Sequence, residues 1–404
     1  MNEAKAQGVP SGPLAGIKVV ELGQLIAGPY AARLLAEFGA DVVKIEPPGI
    51  GDPLRKWRVL HDGTSLWWYL QARNKRSVTA DLKTPEGQEI VRRLAAEADI
   101  LIENFRPGAL EKWGLGWEAL SAINPKLVML RVSGYGQTGP YSQRPGFGVI
   151  GEAMGGIRYT TGAPDRSPSR TGISIGDTLS SLYGVMGALM SVIHVVRNGG
   201  PGQVVDVALT ESVLSVMESV VPEYGVAGLV RERSGGALPG IAPTDAYPCS
   251  DGWVLIAGNG DSIFKRLMTK IGRPDLADDP NLARNDGRVA QVEMIDAVIG
   301  AWSAQRTIAE VIEAMNEASV PVGRIYNARD IVEDPHYRER EMVMDWQLPD
   351  GTAMAVPGIA PKLSATPGAM RSLGPALGAH TDEVLGDIGY SGEQIAEMRQ
   401  RGIV

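Results

Sequence analysis

Between Gly16 and Ser133 short apolar runs alternate with amphipathic ones, and no other feature of this chain constrains its fold as tightly. Gly16-Ile-Lys-Val-Val-Glu-Leu22 reads as a buried strand. Gly28-Pro29 then opens a helix whose apolar residues recur at Ala31, Leu34, Leu35 and Phe38, and Gly39 ends it. Asp41-Val-Val-Lys-Ile-Glu46 is the next strand, which completes a βαβ unit. The pattern repeats with strands at Val78–Leu82, Asp99–Asn104 and Leu127–Ser133, and with helices opened by Thr84-Pro85 and by Pro107. A helix between successive strands returns the chain to the same edge, so the strands run parallel. The predicted class is α/β, with a mostly parallel, doubly wound sheet.

Beyond Asp177 the character changes. A helix rich in Gly, Ala and Ser is predicted to run to Arg197, with the turn Asn198–Gly202, a strand over Gln203–Ala208 and a long helix from about Thr210. Arg233–Gly240 is glycine-rich punctuation, and a domain boundary is placed near it. A strand at Gly252–Ala257, helices at about 262–271, 289–304 and 308–318, and a strand at Val322–Tyr326 form the second domain. Asp350-Gly351 signals a hairpin, and helices at Thr381–Asp387 and Ser391–Arg401 close the chain. A length of 404 residues exceeds what one compact core usually holds, in line with two domains.

A net charge of −8 disfavours broad electrostatic binding to nucleic acid. The single cysteine, Cys249, leaves no intrachain disulfide and no thiolate metal cluster. The four histidines (His61, His194, His336, His380) are far apart in sequence, so no metal site is expected. No apolar stretch is read as reaching the roughly 20 residues that span a bilayer, and no membrane association is expected. Met1–Gly12 has no apolar core, which gives the expectation of a frayed tail, no secretory signal and a cytoplasmic location.

Four motifs carry possible chemistry. Gly134-Tyr-Gly-Gln-Thr-Gly139 follows a predicted strand and matches a dinucleotide fingerprint. Such a fingerprint must open a helix, whereas Pro140, Tyr141, Pro145 and Gly146 make a loop, so nicotinamide or flavin binding is disfavoured. The basic run Arg73-Asn-Lys-Arg76 reads first as a solvated surface. Trp67-Trp68-Tyr69 reads as core or interface. Asp177 lies between Gly176 and an apolar helix, where the helix dipole and backbone N–H groups favour an ionised carboxylate. On local pattern alone it is a helix N-cap. His194 is about five turns down the same helix, too far to form a triad with it.

Leu14–Leu22 with Ala27-Gly-Pro29, Phe38–Glu46, Asn74–Ser77, Glu103-Asn-Phe-Arg-Pro-Gly108, Ser133–Pro140, Gly176-Asp177 and Leu377-Gly-Ala-His-Thr381 together resemble the class III CoA-transferases, typified by formyl-CoA transferase and carnitine CoA-transferase. The resemblance implies a Rossmann-like large domain built from both ends of the chain (1–200 and 346–404), a smaller α+β domain (228–325), linkers at 201–227 and 326–345, and an interlocked homodimer. It makes Asp177 the nucleophile. It places CoA contacts on Ile26 and Ala27, on Ala80, Asp81, Leu82 and Lys83, on Asn104, Phe105 and Arg106, and on Lys112, with Arg144 replacing a neighbouring basic residue. An arginine common after the Lys-Ile-Glu strand is Pro47 here, so Arg73 or Arg76 would supply that phosphate contact. Ser234–Gly240 is the candidate lid. Arg170, Arg55 and Arg58 could bind a distal carboxylate, although each reads first as a surface residue.

The implied activity moves CoA from an acyl-CoA, succinyl-CoA by family frequency, to a carboxylic acid. The CoA thioester is a substrate, and no tightly bound cofactor is expected. The α-methylacyl-CoA racemases share the fold and the Gly-Gln-Thr-Gly-Pro loop, and carry a His-Asp pair just after it. Phe147-Gly148 occupies that place here, which disfavours racemase or epimerase activity as the alternative. A nucleotide-binding protein using the 134–139 loop without covalent chemistry is the third reading.

Overall fold

The computed structural model describes residues 12–404, and the expected frayed tail lies largely outside them. The chain divides into two compact units. One holds the described residues up to Arg158 with Thr171–Ala227 and Met344–Val404, and the other holds Tyr159–Arg170 and Gly228–Val343.

The first unit is built on six strands: β1 (Lys18–Glu21), β2 (Asp41–Glu46), β3 (Lys75–Thr79), β4 (Ile100–Glu103), β5 (Val128–Ser133) and β6 (Val204–Ala208). They stand in the order β3-β2-β1-β4-β5-β6, and every neighbouring pair is parallel. Val19 lies opposite Val42 on one side and Ile100 on the other. The order reverses between β1 and β4, which opens a crevice at the carboxyl ends of these two strands.

Helices cover both faces. On one, α1 (Ala27–Glu37) buries Ala31, Ala32, Leu35 and Ala36 with Val19, Val42, Ile100 and Leu130. On the other, α2 (Pro85–Glu97) buries Ile90, Val91 and Leu94 with Val20, Val43, Leu101 and Met129. Thr84 starts α2 by accepting the amide of Gly87, and Pro85 occupies the first turn, where no amide is needed. Each of the larger buried side chains contributes about 1.5–3 kcal/mol. The one-turn α3 (Ala109–Lys112) follows β4, and α4 (Gly148–Met154) follows the loop after β5.

The long α5 (Ile175–Asn198) packs on the face of α1. Its glycines explain the close approach. A Cβ at Gly184 would stand 3.0 Å from Leu130, and one at Gly187 would stand 2.6 Å from Val205 Cγ1. Contrary to the sequence expectation, this helix is long and apolar enough to cross a bilayer by length and composition, with mean hydropathy 1.7 over an 18-residue window. In the fold, one of its faces is committed to the sheet.

The second unit holds an antiparallel sheet, β9-β8-β7, of β7 (Thr244–Cys249), β8 (Gly252–Ala257) and β9 (Val322–Arg324). Helices Asp261–Lys270, Val292–Ser303 and Ile308–Glu317 bury Phe264, Leu267, Ile295, Ile299, Val311 and Met315 against Val254 and Ile256.

Residues 201–227, expected to be a linker, contain β6 and two short helices, Leu209–Leu214 and Val220–Ala227, where one long helix was read. Between these helices Glu218 has φ 50°, which interrupts the helical backbone. Residues 326–345, the other expected linker, contain helices Ala328–Glu333 and Pro335–Glu339, capped by Asn327 and Asp334.

Candidate active site

The loops leaving the carboxyl ends of the parallel strands carry the residues that the sequence singled out. Ile26 and Ala27 end the turn after β1 and start α1; Ala80–Lys83 follow β3. Asn104–Arg106 and Lys112 follow β4, and Arg144 lies in the loop after β5. That loop, residues 134–147, contains no helix, as its prolines predict. Arg106 reaches across to it, donating from Nη2 to the carbonyl of Gln143 at 3.4 Å. Lys83, Arg106, Lys112 and Arg144 are exposed cations on the segments that follow β3, β4 and β5, and Arg144 stacks 3.8 Å above the Tyr141 ring. Phe105 packs edge-on against Trp113 at 5.4 Å, and both lie half-buried against the core.

Asp177 lies in the first turn of α5, half-buried. The structure corrects its local role. Ser174 is the N-cap, and Asp177 is the third helical residue rather than the cap itself. The helix N-terminus favours its ionised form. A Cβ at Gly148 would fall 2.0 Å from Asp177 Oδ2. Only the absence of a side chain at 148 lets the carboxylate lie there.

Asn104 is committed within the protein. Its Oδ1 accepts the Gln24 amide at 2.8 Å and its Nδ2 donates to the Gln24 carbonyl at 2.9 Å. The pair bridges the crevice between β1 and β4.

The basic run is corrected as well. Arg73 and Lys75 are buried, not solvated. Arg73 pairs with Glu37 and donates to the Pro357 carbonyl at 2.7 Å, and burial pushes its pKa down to about 10. Lys75 Nζ lies 2.7 Å from Glu21 Oε2, and burial pushes its pKa down to about 8. Arg76 pairs with Asp41 at 2.6 Å, near the amino ends of the strands. Neither Arg73 nor Arg76 is brought to the crevice. Arg55 is neither exposed nor available. Its Nε and Nη2 each reach Glu46 at 2.8 Å, over the Trp68 ring. Arg58 is exposed and lies 4.6 Å from the Trp67 ring, and Arg170 is exposed. The candidate lid lies in the second unit, where the Ala237 amide turns back to the Ser234 carbonyl at 3.2 Å.

The sequence profile described as CoA-transferase family III matches residues 14–381. The chain belongs to this family. This family III CoA-transferase is 48% identical over 398 residues to the succinyl-CoA–D-citramalate CoA-transferase of Chloroflexus aurantiacus, covering 98% of this chain and 99% of the other. It is 43% identical to the beta subunit of succinyl-CoA–L-malate CoA-transferase from the same organism, over 97% of this chain and 98% of the other. A solved CAIB/BAIF family protein from Brucella suis shares its fold with a TM-score of 0.83 at 36% identity, covering 94% of this chain and 100% of the other. The protein is an enzyme, a class III CoA-transferase whose substrates include a CoA thioester.

Proposed function

We propose that this enzyme transfers CoA from succinyl-CoA to a short hydroxylated or branched dicarboxylate, with Asp177 as nucleophile. One observation carries the nucleophile: a half-buried carboxylate in the first turn of α5, its oxygen lying over the bare backbone of Gly148. Donor and acceptor follow the relatives named for succinyl-CoA with citramalate or malate.

The chemistry balances without an external base. An Asp177 oxygen attacks the thioester carbonyl, the C–S bond breaks and CoA thiolate leaves, giving a mixed anhydride. The thiolate attacks the Asp177 carbonyl carbon and expels succinate, leaving an aspartyl-CoA thioester. The acceptor carboxylate attacks that thioester, forming a second anhydride and releasing the thiolate. Attack of the thiolate on the acceptor's acyl carbon yields the new acyl-CoA and restores the Asp177 carboxylate. No proton is exchanged at any step. Water would hydrolyse the anhydrides, so a closing element is needed, and Ser234–Gly240 is assigned that role.

The CoA phosphates meet the exposed cations Lys83, Arg106, Lys112 and Arg144, and Phe105 and the backbone at Ile26–Ala27 and Ala80–Leu82 line the rest of the crevice. The enzyme works as an interlocked homodimer in this reading. The exposed apolar face of α5 supports a second copy.

The test incubates the enzyme with succinyl-CoA and a panel of carboxylates and follows new thioesters by mass. Hydroxylamine should trap an adduct confined to the peptide containing Asp177, and Asp177→Asn should abolish both adduct and transfer. Full turnover by Asp177→Asn would overturn the mechanism, and α-proton exchange in deuterated water without a second acid would point to the racemase instead.

A further inference from the structure

The turn Gln24–Ala27 sits at the crevice where the strand order reverses, and its backbone is held from outside. Leu25 has φ 64°, in the left-handed region that costs a non-glycine residue about 1–2 kcal/mol. Such a conformation persists only where its surroundings over-determine it. Four side chains from four separate segments do so. Asn104 takes both the amide and the carbonyl of Gln24. The two carboxylate oxygens of Asp52 accept the Leu25 amide at 3.1 and 3.2 Å, and Asp52 is itself fixed by Lys44 at 2.9 Å. Gln71 donates to the Ile26 carbonyl at 3.1 Å.

The fourth is Ser181, which is fully buried on α5. Its Oγ lies 2.7 Å from the carbonyl of Ala27 and 2.7 Å from the carbonyl of Asp177. A hydroxyl has one proton, so Ser181 shares it between the end of the turn and the backbone of the nucleophile. Both carbonyls lie inside helices, where i+4 amides also serve them. The hydroxyl is therefore a cross-link rather than their sole partner.

We propose that Ser181 and Asn104 are positioning residues that lock the Gln24–Ala27 turn, the floor of the CoA crevice, to the backbone of Asp177, so that thioester and nucleophile are held in one register. This rests on the reading of Asp177 as nucleophile. The Asn104 side chain acts through the turn rather than by touching CoA. Ser181 transmits the position of the turn to the reacting carboxylate, where small displacements are costly. A 1 Å misplacement of reacting groups can reduce the rate about a hundredfold.

The test uses Ser181→Ala and Asn104→Asp in the full-length protein. The first removes one oxygen and leaves both carbonyls their helical amides. The second keeps the size and the bond to the Gln24 amide, but sets an oxygen against the Gln24 carbonyl. Steady-state constants for succinyl-CoA are measured at 25 °C, with melting temperature and hydroxylamine-trapped adduct alongside. Ser181→Ala is expected to lower kcat about five- to twentyfold with KM for the thioester within about twofold. Asn104→Asp is expected to raise that KM about tenfold. Ser181→Cys, a weaker donor of similar shape, should fall between Ser181→Ala and wild type.

A merely structural role would lower the melting temperature and leave both constants unchanged well below it, and that result overturns the proposal. Should Asn104→Asp fail to fold, the kcat of Ser181→Ala decides. An Asp177 adduct in wild type combined with unaltered variants defeats the positioning role alone. No adduct in wild type defeats the nucleophile reading and the positioning role with it.

Discussion

Asp177 and Gly148 form a pair whose members are 29 positions apart in the chain and share one volume in the fold. A methyl group at 148 would overlap a carboxylate oxygen at 2.0 Å, so the carboxylate must turn away. Gly148→Ala is expected to cut kcat at least about tenfold while KM for the CoA ester changes little, because the crevice proposed to bind CoA is untouched. Steady-state kinetics check this, and an unchanged kcat would show that Asp177 does not use this position. Asp177 was legible in the sequence as a carboxylate at a helix start, but its neighbour was not, because local pattern carries no information about a loop that packs from elsewhere. The basic run failed for the same reason. A row of cations reads as solvated until the fold brings Glu21 and Glu37 against Lys75 and Arg73. Ser181 gave no signal at all, since a serine among small residues on a helix looks like packing.

At the scale of elements, most strands of the parallel sheet were legible because the switch of apolar period between strand and helix is written locally, although the strand read at Val78–Leu82 lies at Lys75–Thr79. The strand order β3-β2-β1-β4-β5-β6 is not written there. Helix α5 shows what the small residues do. Gly187 lets the helix lie so close to β6 that any Cβ meets Val205. Gly187→Ala should therefore destabilise the protein by about 1–3 kcal/mol through overpacking, although alanine is the better helix former. Urea unfolding measures this, and a gain in stability would mean that the close approach does not hold in solution.

A second element-scale prediction concerns the hairpin around His61 and the hairpin Val343–Gln347/Ala353–Pro357, joined by His61 Nε2 and Asp350 Oδ2 at 2.7 Å. The histidines are far apart in sequence, but the fold sets His61, Asp62 and Asp350 within 4.8 Å of one another. The bond to Asp350 raises the His61 pKa, while the Thr352 amide, followed by His61, holds Asp350 at about 2. A raised histidine pKa gives stability that is fully present below the ordinary value and is lost as pH rises through the elevated one. A depressed carboxylate pKa gives stability that is present above its ordinary value and is lost as pH falls towards 2. The link is therefore strongest in mildly acid solution. NMR titration should show the His61 pKa falling towards about 6.5 in Asp350→Asn, and an unmoved titration would show that the hairpins are not joined through this pair.

For the whole molecule, the decisive surface is the outer face of α5. Leu182, Met186, Met190, Ile193 and Val196 recur every three or four residues, and all are exposed, Val196 at 75%. A contiguous apolar stripe of this kind marks an interaction surface. Two solvents could cover it. A bilayer-spanning helix must be clear of polar structure along its length, whereas Gly184 and Gly187 seat the opposite face of α5 on the sheet. Spanning would tear the helix from the core it helps to build. A second copy of the chain can cover the stripe without disturbing that seat. Asp177 lies in the first turn of the same helix, so covering it also stiffens the element that carries the proposed nucleophile. Light scattering should give wild type a mass of twice 43.0 kDa. The double variant Met190→Glu/Ile193→Glu sets four carboxylates into the shared surface of a pair and should yield monomer or aggregate, with transferase activity lost in parallel. Wild type running at 43.0 kDa with full activity would remove the second copy from the account and leave the stripe to another partner.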